Sequence, residues 1–137
     1  FYNNNLTIIN DSKSTSLASS ENLLKNLKNV YWILCGIPKK GDKFNLTKLQ
    51  CKNFKGYLFG KHQIEFSKNF KNKLTIKKFK NLKDTLNQIF LEIKYNKEEK
   101  NTILFSPAGA SFDNFKNFED RGLYFNQTIK KYLNANR

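Results

Sequence analysis

The sequence predicts an α/β fold: a Rossmann-like, mostly parallel sheet with helices on both faces. Two observations carry this expectation. Short continuous apolar runs, Val30–Cys35 and Thr102–Phe105, read as strands buried on both sides. Between such runs lie segments with apolar residues at helical spacing, clearest at Leu82, Leu86, Ile89, Phe90 and Ile93. Strands alternating with helices imply parallel neighbours with the helices packed over the sheet.

In chain order, Leu6–Ile9 is a short apolar strand, followed by a polar loop over 10–16. Residues 17–27 carry apolar side chains at 17, 23, 24 and 27, a helix buried on one side. Val30–Cys35 is the second strand, and 36–43 a loop of Gly, Pro and Lys. Asn45–Cys51 reads as a short helix or turn, Lys55–Phe59 as a third strand ending at Gly60, and His62–Asn69 as helical. Leu74–Phe79 is a fourth strand, weakened by its lysines, and 82–95 a helix. A charged turn at Lys97–Asn101 leads into the fifth strand, Thr102–Phe105. Phe118, Phe125, Ile129, Tyr132 and Leu133 mark a terminal helix. There is no internal repeat and no low-complexity linker.

A chain of 137 residues makes one domain large enough for a core. With 39% hydrophobic and 15% aromatic residues it is too apolar for a disordered segment. No apolar run approaches the roughly 20 residues of a membrane span, and no signal peptide opens the chain. Phe1–Asn5, without an initiator Met, reads as the interior of a longer protein. Cys35 and Cys51 lack metal-ligand spacing and read as free thiols in a reducing cytoplasm. The net charge of +14 raises the possibility of a Lys-rich nucleic-acid-binding module without catalysis. Against it, 23 of the 25 basic residues are Lys, spread from Lys13 to Lys131, and only Arg121 and Arg137 are Arg. Base and phosphate recognition favours the bidentate guanidinium, so the lysines read as solvated surface.

Three loops follow strands and therefore share one edge of a parallel sheet. NDSKSTS at 10–16 offers Asp11, Lys13 and hydroxyls ahead of a helix: either an anion site at the helix amino terminus or simple capping by Ser14, Thr15 or Ser16. GIPKKGDK at 36–43 sets Lys39 beside Lys40, a clamp for a carboxylate or phosphate or a solvated basic turn. SPAGASF at 106–112 has small residues that admit a ligand close to the backbone, with Ser111 supplying a hydroxyl, or is a plain strand-to-helix turn. No phosphate-binding GxxxxGK[ST] or GxGxxG occurs. The single His62 has no cluster around it, so no metal site is expected, and Ser111 has no evident base to make it a nucleophile. No catalytic residue is assigned, and nothing here is a complete enzyme.

NDSKSTS at 10–16, CGIPKKGDKF at 35–44, GYLFG at 56–60 and ILFSPAGASFDNFKNFEDRG at 103–122 resemble, in order and spacing, the carboxyl-terminal domain of the Mur ligases. The last motif resembles the branch that adds D-glutamate. The resemblance covers nearly the whole chain and implies an ATP-dependent ligase of peptidoglycan synthesis. ATP activates the carboxylate of UDP-N-acetylmuramoyl-L-alanine as an acyl phosphate, and the amine of D-glutamate attacks it. The UDP-sugar domain and the ATPase domain, which mainly holds ATP and Mg2+, lie outside this chain, so the isolated domain is expected to be inactive. The resemblance places Lys39, Ser111 and Thr15 on D-glutamate and brings backbone groups of Phe112 and Phe118 to the same substrate. It places Asp11 and Lys13 near the ribose and phosphates of the nucleotide when the domains close. The side chains of Phe115 and Phe118 are expected to pack. A monomeric cytoplasmic protein is implied, with neither membrane nor nucleic acid as partner. Two positions depart from the family pattern. Cys35-Gly36 stands where Gly-Gly is usual, a strain if the first residue needs positive φ, and Gly109 stands where Cys is usual, a change expected to loosen the loop.

Overall fold

Two five-residue strands with every residue buried, β2 (Val30–Leu34) and β6 (Asn101–Phe105), lie side by side in the middle of the sheet. In the computed structural model, which describes residues 5–96, 100–111 and 115–135, they belong to a five-stranded sheet. The other strands are β1 (Leu6–Asn10), β4 (Phe54–Phe59) and β5 (Ile76–Phe79). The order is β1-β6-β2-β4-β5 and every pair is parallel. Register runs from Leu6↔Asn101 to Asn10↔Phe105, and from Val30↔Thr102 to Ile33↔Phe105, so β1, β2 and β6 end level. β5, at one edge, carries Lys77 and Lys78, a residue choice that discourages pairing with another chain.

Alternation along the strands sorts the core into two layers. Trp32 and Leu34 of β2, Phe54 and Leu58 of β4 and Leu104 of β6 face α1 (Leu17–Leu24) and α2 (Gln63–Ser67). Trp32 is the centre of that layer, with the rings of Phe44, Phe54 and Phe70 at 5.9, 6.1 and 5.6 Å. Tyr31, Ile33, Tyr57, Phe59, Ile103 and Phe105 face α3 (Leu82–Tyr95) and α4 (Phe118–Ala135). There Phe105 stacks on Phe125 at 4.4 Å. α3 begins where Asn81 accepts the Asp84 amide at 2.8 Å and buries Leu82, Leu86 and Ile89, the stripe its periodicity predicts.

Several boundaries differ from the sequence reading. α1 stops at Leu24 instead of 27, because Asn26 and Leu27 donate to Leu23 and Leu24, three residues back, and Asn29 follows at φ +53°. Of the segment at 45–51, the first three residues have no regular structure; a turn at 48–49 then leads into a short 3₁₀ helix at Gln50–Asn53. β5 starts at Ile76. The loop 36–43 contains β3 (Ile37–Pro38), which pairs antiparallel with β7 (Gly109–Ala110) in a two-stranded ribbon. The turn expected at 97–101 lies largely outside the described residues, and Asn101 already belongs to β6.

Glu92 of α3 ties the helix to the sheet. Its carboxylate accepts from Tyr57 Oη at 2.9 and 3.0 Å and from Gln88 at 3.1 Å, and pairs with Lys77 at 3.3 Å and Lys55 at 3.4 Å. Burial would raise its pKa, but the hydrogen bonds from Tyr57, Gln88 and Lys77 win and hold it below the ordinary 4.5. Burial, reinforced by that carboxylate, pushes the Tyr57 hydroxyl far up, so it stays a donor. The stability Glu92 supplies is therefore complete above the ordinary carboxylate range and is lost as pH falls through its lowered value. Glu92→Gln is expected to cost about 1–2 kcal/mol at pH 7. The deficit should shrink in urea unfolding at pH 3, and an equal deficit at both pH values would contradict the charge assignment.

The path of the chain positions the functional edge. The crossover from β1 to β2 and that from β4 to β5 run on the Trp32 face. α3 returns on the opposite face to insert β6 between β1 and β2, and α4 follows there. Right-handed crossovers that reverse direction must change faces in this way. The helix after β1 thus lies on one face and the helix after β6, its neighbour in the sheet, on the other; the edge beyond that reversal is the crevice position where open α/β sheets take ligands.

Candidate functional site

Three loops meet at this edge: 10–16 after β1, 36–43 after β2 and the segment from 106 to 111 after β6. The ribbon of β3 and β7 joins the second to the third. Gly36 enters it at φ +97°, and a Cβ there would stand 2.3 Å from the Ala110 carbonyl oxygen. The left-handed conformation thus falls on Gly36, and Cys35, whose amide donates to the Pro107 carbonyl at 3.3 Å, carries no such strain. Gly109 is tightly held too. A Cβ on it would meet the Cys35 carbonyl oxygen and the Phe66 ring at 2.8 Å, so glycine here permits close packing and does not loosen the loop.

Arg121, in the first turns of α4, fastens the first loop to the third. Its side chain is wholly buried. Nη1 donates to the Gly109 carbonyl at 2.8 Å, and Nη2 to the carbonyls of Ser12 at 2.8 Å and Ser14 at 3.2 Å. Asn10 adds bonds from its Nδ2 to the Gly122 carbonyl at 3.0 Å and to Asn126 at 2.9 Å. Asp42 of the second loop accepts the Leu17 amide at 2.7 Å, and Glu21 of α1 accepts the Asn45 amide at 2.6 Å. Beneath the rim lies a row of buried hydroxyls. Ser14 meets Ser20 at 2.7 Å, Ser20 meets Ser106 at 2.6 Å, and Ser106 donates to Asp11 Oδ2 at 2.8 Å.

These contacts decide between the alternatives for 10–16. The amino terminus of α1 is capped by Ser16, whose Oγ accepts from the Ser19 amide at 3.3 Å, and by the Asp42 carboxylate from the neighbouring loop. Capping, not an open anion site, occupies that helix end. Thr15 stands exposed on the rim, outside the capping box.

The loops that carry the described site residues come to this one edge. Asp11 and Lys13 share a tight turn closed by the Ser14 amide on the Asp11 carbonyl at 3.0 Å, with Asp11 partly buried and Lys13 exposed. Lys39 and Lys40 are exposed in a turn closed by the Asp42 amide on the Lys39 carbonyl at 3.0 Å. Ser111 is buried immediately after β7. The antiparallel register puts Lys39 and Ser111 at opposite ends of the ribbon, roughly 10 Å apart along it. Phe118 is the first residue of α4, with Asn117 capping the helix through the Asp120 amide at 2.9 Å. Phe118 is 39% exposed, less packed than expected, whereas Phe115 packs on Tyr124 at 5.5 Å. Phe112 lies outside the described residues. His62 pairs with Glu65 at 3.1 Å, and no metal-binding group of His, Cys, Asp or Glu occurs among the described residues. No described helix is long and apolar enough to cross a membrane.

Sequence reasoning passed over Arg121, Asp42 and the serine row. The signal for Arg121 was present: one arginine among many lysines, inside the most specific motif of the chain.

No family model matches the chain. Individual relatives do. The UDP-N-acetylmuramoylalanine–D-glutamate ligase of the Wolbachia of Brugia malayi is 39% identical over 127 residues, covering 93% of this chain and 25% of the relative. The ligase of the same name from Rickettsia felis is 33% identical over 129 residues, covering 94% and 29%. That of Prochlorococcus marinus is 36% identical over 145 residues, covering 99% and 30%. The chain thus spans less than a third of the length of these curated relatives. With most of its own length matched, and with a parallel sheet whose loops carry the motifs, the chain belongs to the UDP-N-acetylmuramoylalanine–D-glutamate ligase family and has the fold of the Mur ligase carboxyl-terminal domain.

Proposed function

We propose that this chain is the D-glutamate-binding, nucleotide-closing domain of an ATP-dependent ligase that joins D-glutamate to UDP-N-acetylmuramoyl-L-alanine in peptidoglycan synthesis. The observation that carries the reading is the convergence of the three motif-bearing loops on one sheet edge: Arg121 bonds the first to the third, the β3–β7 ribbon joins the second to the third, and Asp42 ties the second to α1. A dicarboxylate needs cations, hydroxyls and backbone N–H groups on more than one side. Lys39 at one end of the ribbon, Ser111 at the other and Thr15 on the facing loop offer that spread.

In the proposed reaction ATP phosphorylates the carboxylate of the UDP-sugar substrate, and the D-glutamate amine attacks the acyl phosphate. The tetrahedral intermediate collapses to the new amide, releasing phosphate; ADP is the other product. The domain's part is to hold D-glutamate with its amine toward the acyl carbon and to meet the nucleotide through Asp11 and Lys13 as the domains close. UDP-sugar and ATPase domains outside this chain supply the rest, including most of the ATP and Mg2+ site. The ligase works in the cytoplasm as a monomer, and this domain by itself does not ligate.

Lys39→Ala in the complete ligase is expected to lower kcat/KM for D-glutamate roughly 10- to 150-fold, equivalent to about 1.5–3 kcal/mol, with ATP use little changed. Unaltered D-glutamate kinetics would remove Lys39 from the site. The charge of +14 favours a second reading, a nucleic-acid-binding module. An amide NMR titration of the chain with D-glutamate, L-glutamate, Mg-ADP and a short DNA duplex separates the two. Shifts at Thr15, Lys39, Ser111 and Phe118 that favour the D enantiomer support the ligase. Shifts with DNA alone, spread over lysines and abolished by salt, support the module.

A further inference from the structure

We propose that Ser106 is a positioning residue for Asp11, committing one oxygen of its carboxylate inward so that the other is presented to a ribose hydroxyl of the nucleotide. The inference rests on the proposed nucleotide contact of Asp11 and adds the group that aims it. Ser106 is wholly buried at the end of β6, the strand beside β1. Its backbone is pinned by Trp32, whose Nε1 donates to the Ser106 carbonyl at 2.7 Å. Its Oγ donates to Asp11 Oδ2 at 2.8 Å.

A carboxylate only accepts, so the Ser106 proton is fixed on Asp11. The oxygen of Ser106 then accepts from Ser20 at 2.6 Å, and Ser20 from Ser14 at 2.7 Å. The row of hydroxyls thus has one direction, ending at Asp11, and each bond polarises the next. The main chain of Asp11 is fixed as well: its amide donates to the Phe105 carbonyl at 2.7 Å and its carbonyl accepts the Ser14 amide at 3.0 Å. With backbone and Oδ2 held, Oδ1 has one orientation, and no described residue bonds it. An aimed acceptor at a partly exposed position is suited to a ligand hydroxyl. A site built around such a bond discriminates against a ligand that lacks the hydroxyl.

The test uses the complete ligase, with ATP and its 2′-deoxy and 3′-deoxy analogues. Ser106→Ala is expected to raise KM for ATP about 5- to 10-fold, the scale of one ordinary hydrogen bond, because Asp11 is misaimed and not removed. It should leave KM for D-glutamate unchanged and reduce the preference for ATP over whichever deoxy analogue wild type rejects. In an Asp11→Ala background the same substitution should add nothing, because the group it positions is gone. An equal further rise in that background would make Ser106 merely structural and overturn the proposal. An ATP KM that Asp11→Ala leaves unaltered would instead overturn the nucleotide contact itself. If Ser106→Ala does not fold, Ser106→Cys keeps the shape with a weak donor, and wild-type ATP kinetics in that variant would overturn the assignment.

Discussion

Arg121→Met is expected to destabilise the domain by about 3–5 kcal/mol, the largest loss from any single substitution considered. The guanidinium is buried and holds three carbonyls, those of Ser12, Ser14 and Gly109, from loops after different strands. Methionine fills much of the volume but leaves those carbonyls without their donor, at about 1–3 kcal/mol for each left unsatisfied, less whatever water recovers. For a domain of this size that corresponds to a fall in Tm of roughly 10–20 °C, read by circular dichroism. Arg121→Lys should recover only part of the loss. A single ammonium cannot reproduce a planar fork that serves Gly109 through one nitrogen and the Ser12 loop through the other. A methionine variant within 1 kcal/mol of wild type would mean that the loops hold their positions without the arginine.

Gly36→Ala is expected to follow closely, at about 3 kcal/mol. Two costs combine: a side chain at φ +97°, and a Cβ placed 2.3 Å from the Ala110 carbonyl oxygen, which is backbone and cannot swing aside. The ribbon of β3 and β7 must separate to admit the methyl group, so in the complete ligase D-glutamate use should fall with stability. Gly41→Ala separates the two terms. Gly41 also has positive φ, at +79°, but nothing lies within 4 Å of its added Cβ. It should therefore cost only the conformational part, about 1 kcal/mol. Urea unfolding of the two variants together checks this, and equal losses would refute the steric overlap at Gly36.

Much of this architecture was legible because burial writes itself into composition. β2 and β6 are unbroken apolar runs because both faces of a central strand are covered, and α3 keeps the ends its stripe and cap predict. The convergence of 10–16, 36–43 and the described part of the third loop, 106–111, followed from parallel pairing alone. What escaped were devices whose partners are distant in sequence. The amide of Leu17 is capped by Asp42, and the carbonyl of Ser12 is held by Arg121; a charged residue in a polar stretch looks solvated until the partner is known. The β3–β7 ribbon escaped for another reason. Two-residue strands containing Pro38 and Gly109 have no periodicity to detect and form only because Gly36 turns the chain toward β7. Phe118 was misjudged as packing because its ring falls in an otherwise apolar-stepped helix, although it stands at the capped end that faces the rim.

The placement of β6 has a consequence for how the chain acquires its shape. β1 and β2 do not touch as sheet neighbours; each bonds β6, the strand of the five-stranded sheet that leaves the ribosome last. Until residues 101–105 have been synthesised, the nascent chain holds two apolar strands with bare edges and an empty slot between them, a form prone to aggregate. Inserting that strand closes the slot, covers both edges and delivers Ser106, the ribbon and Arg121 to the loops already waiting. Assembly of the fold and assembly of the ligand crevice are thus one cooperative event, dominated by long-range contacts and slow for that reason.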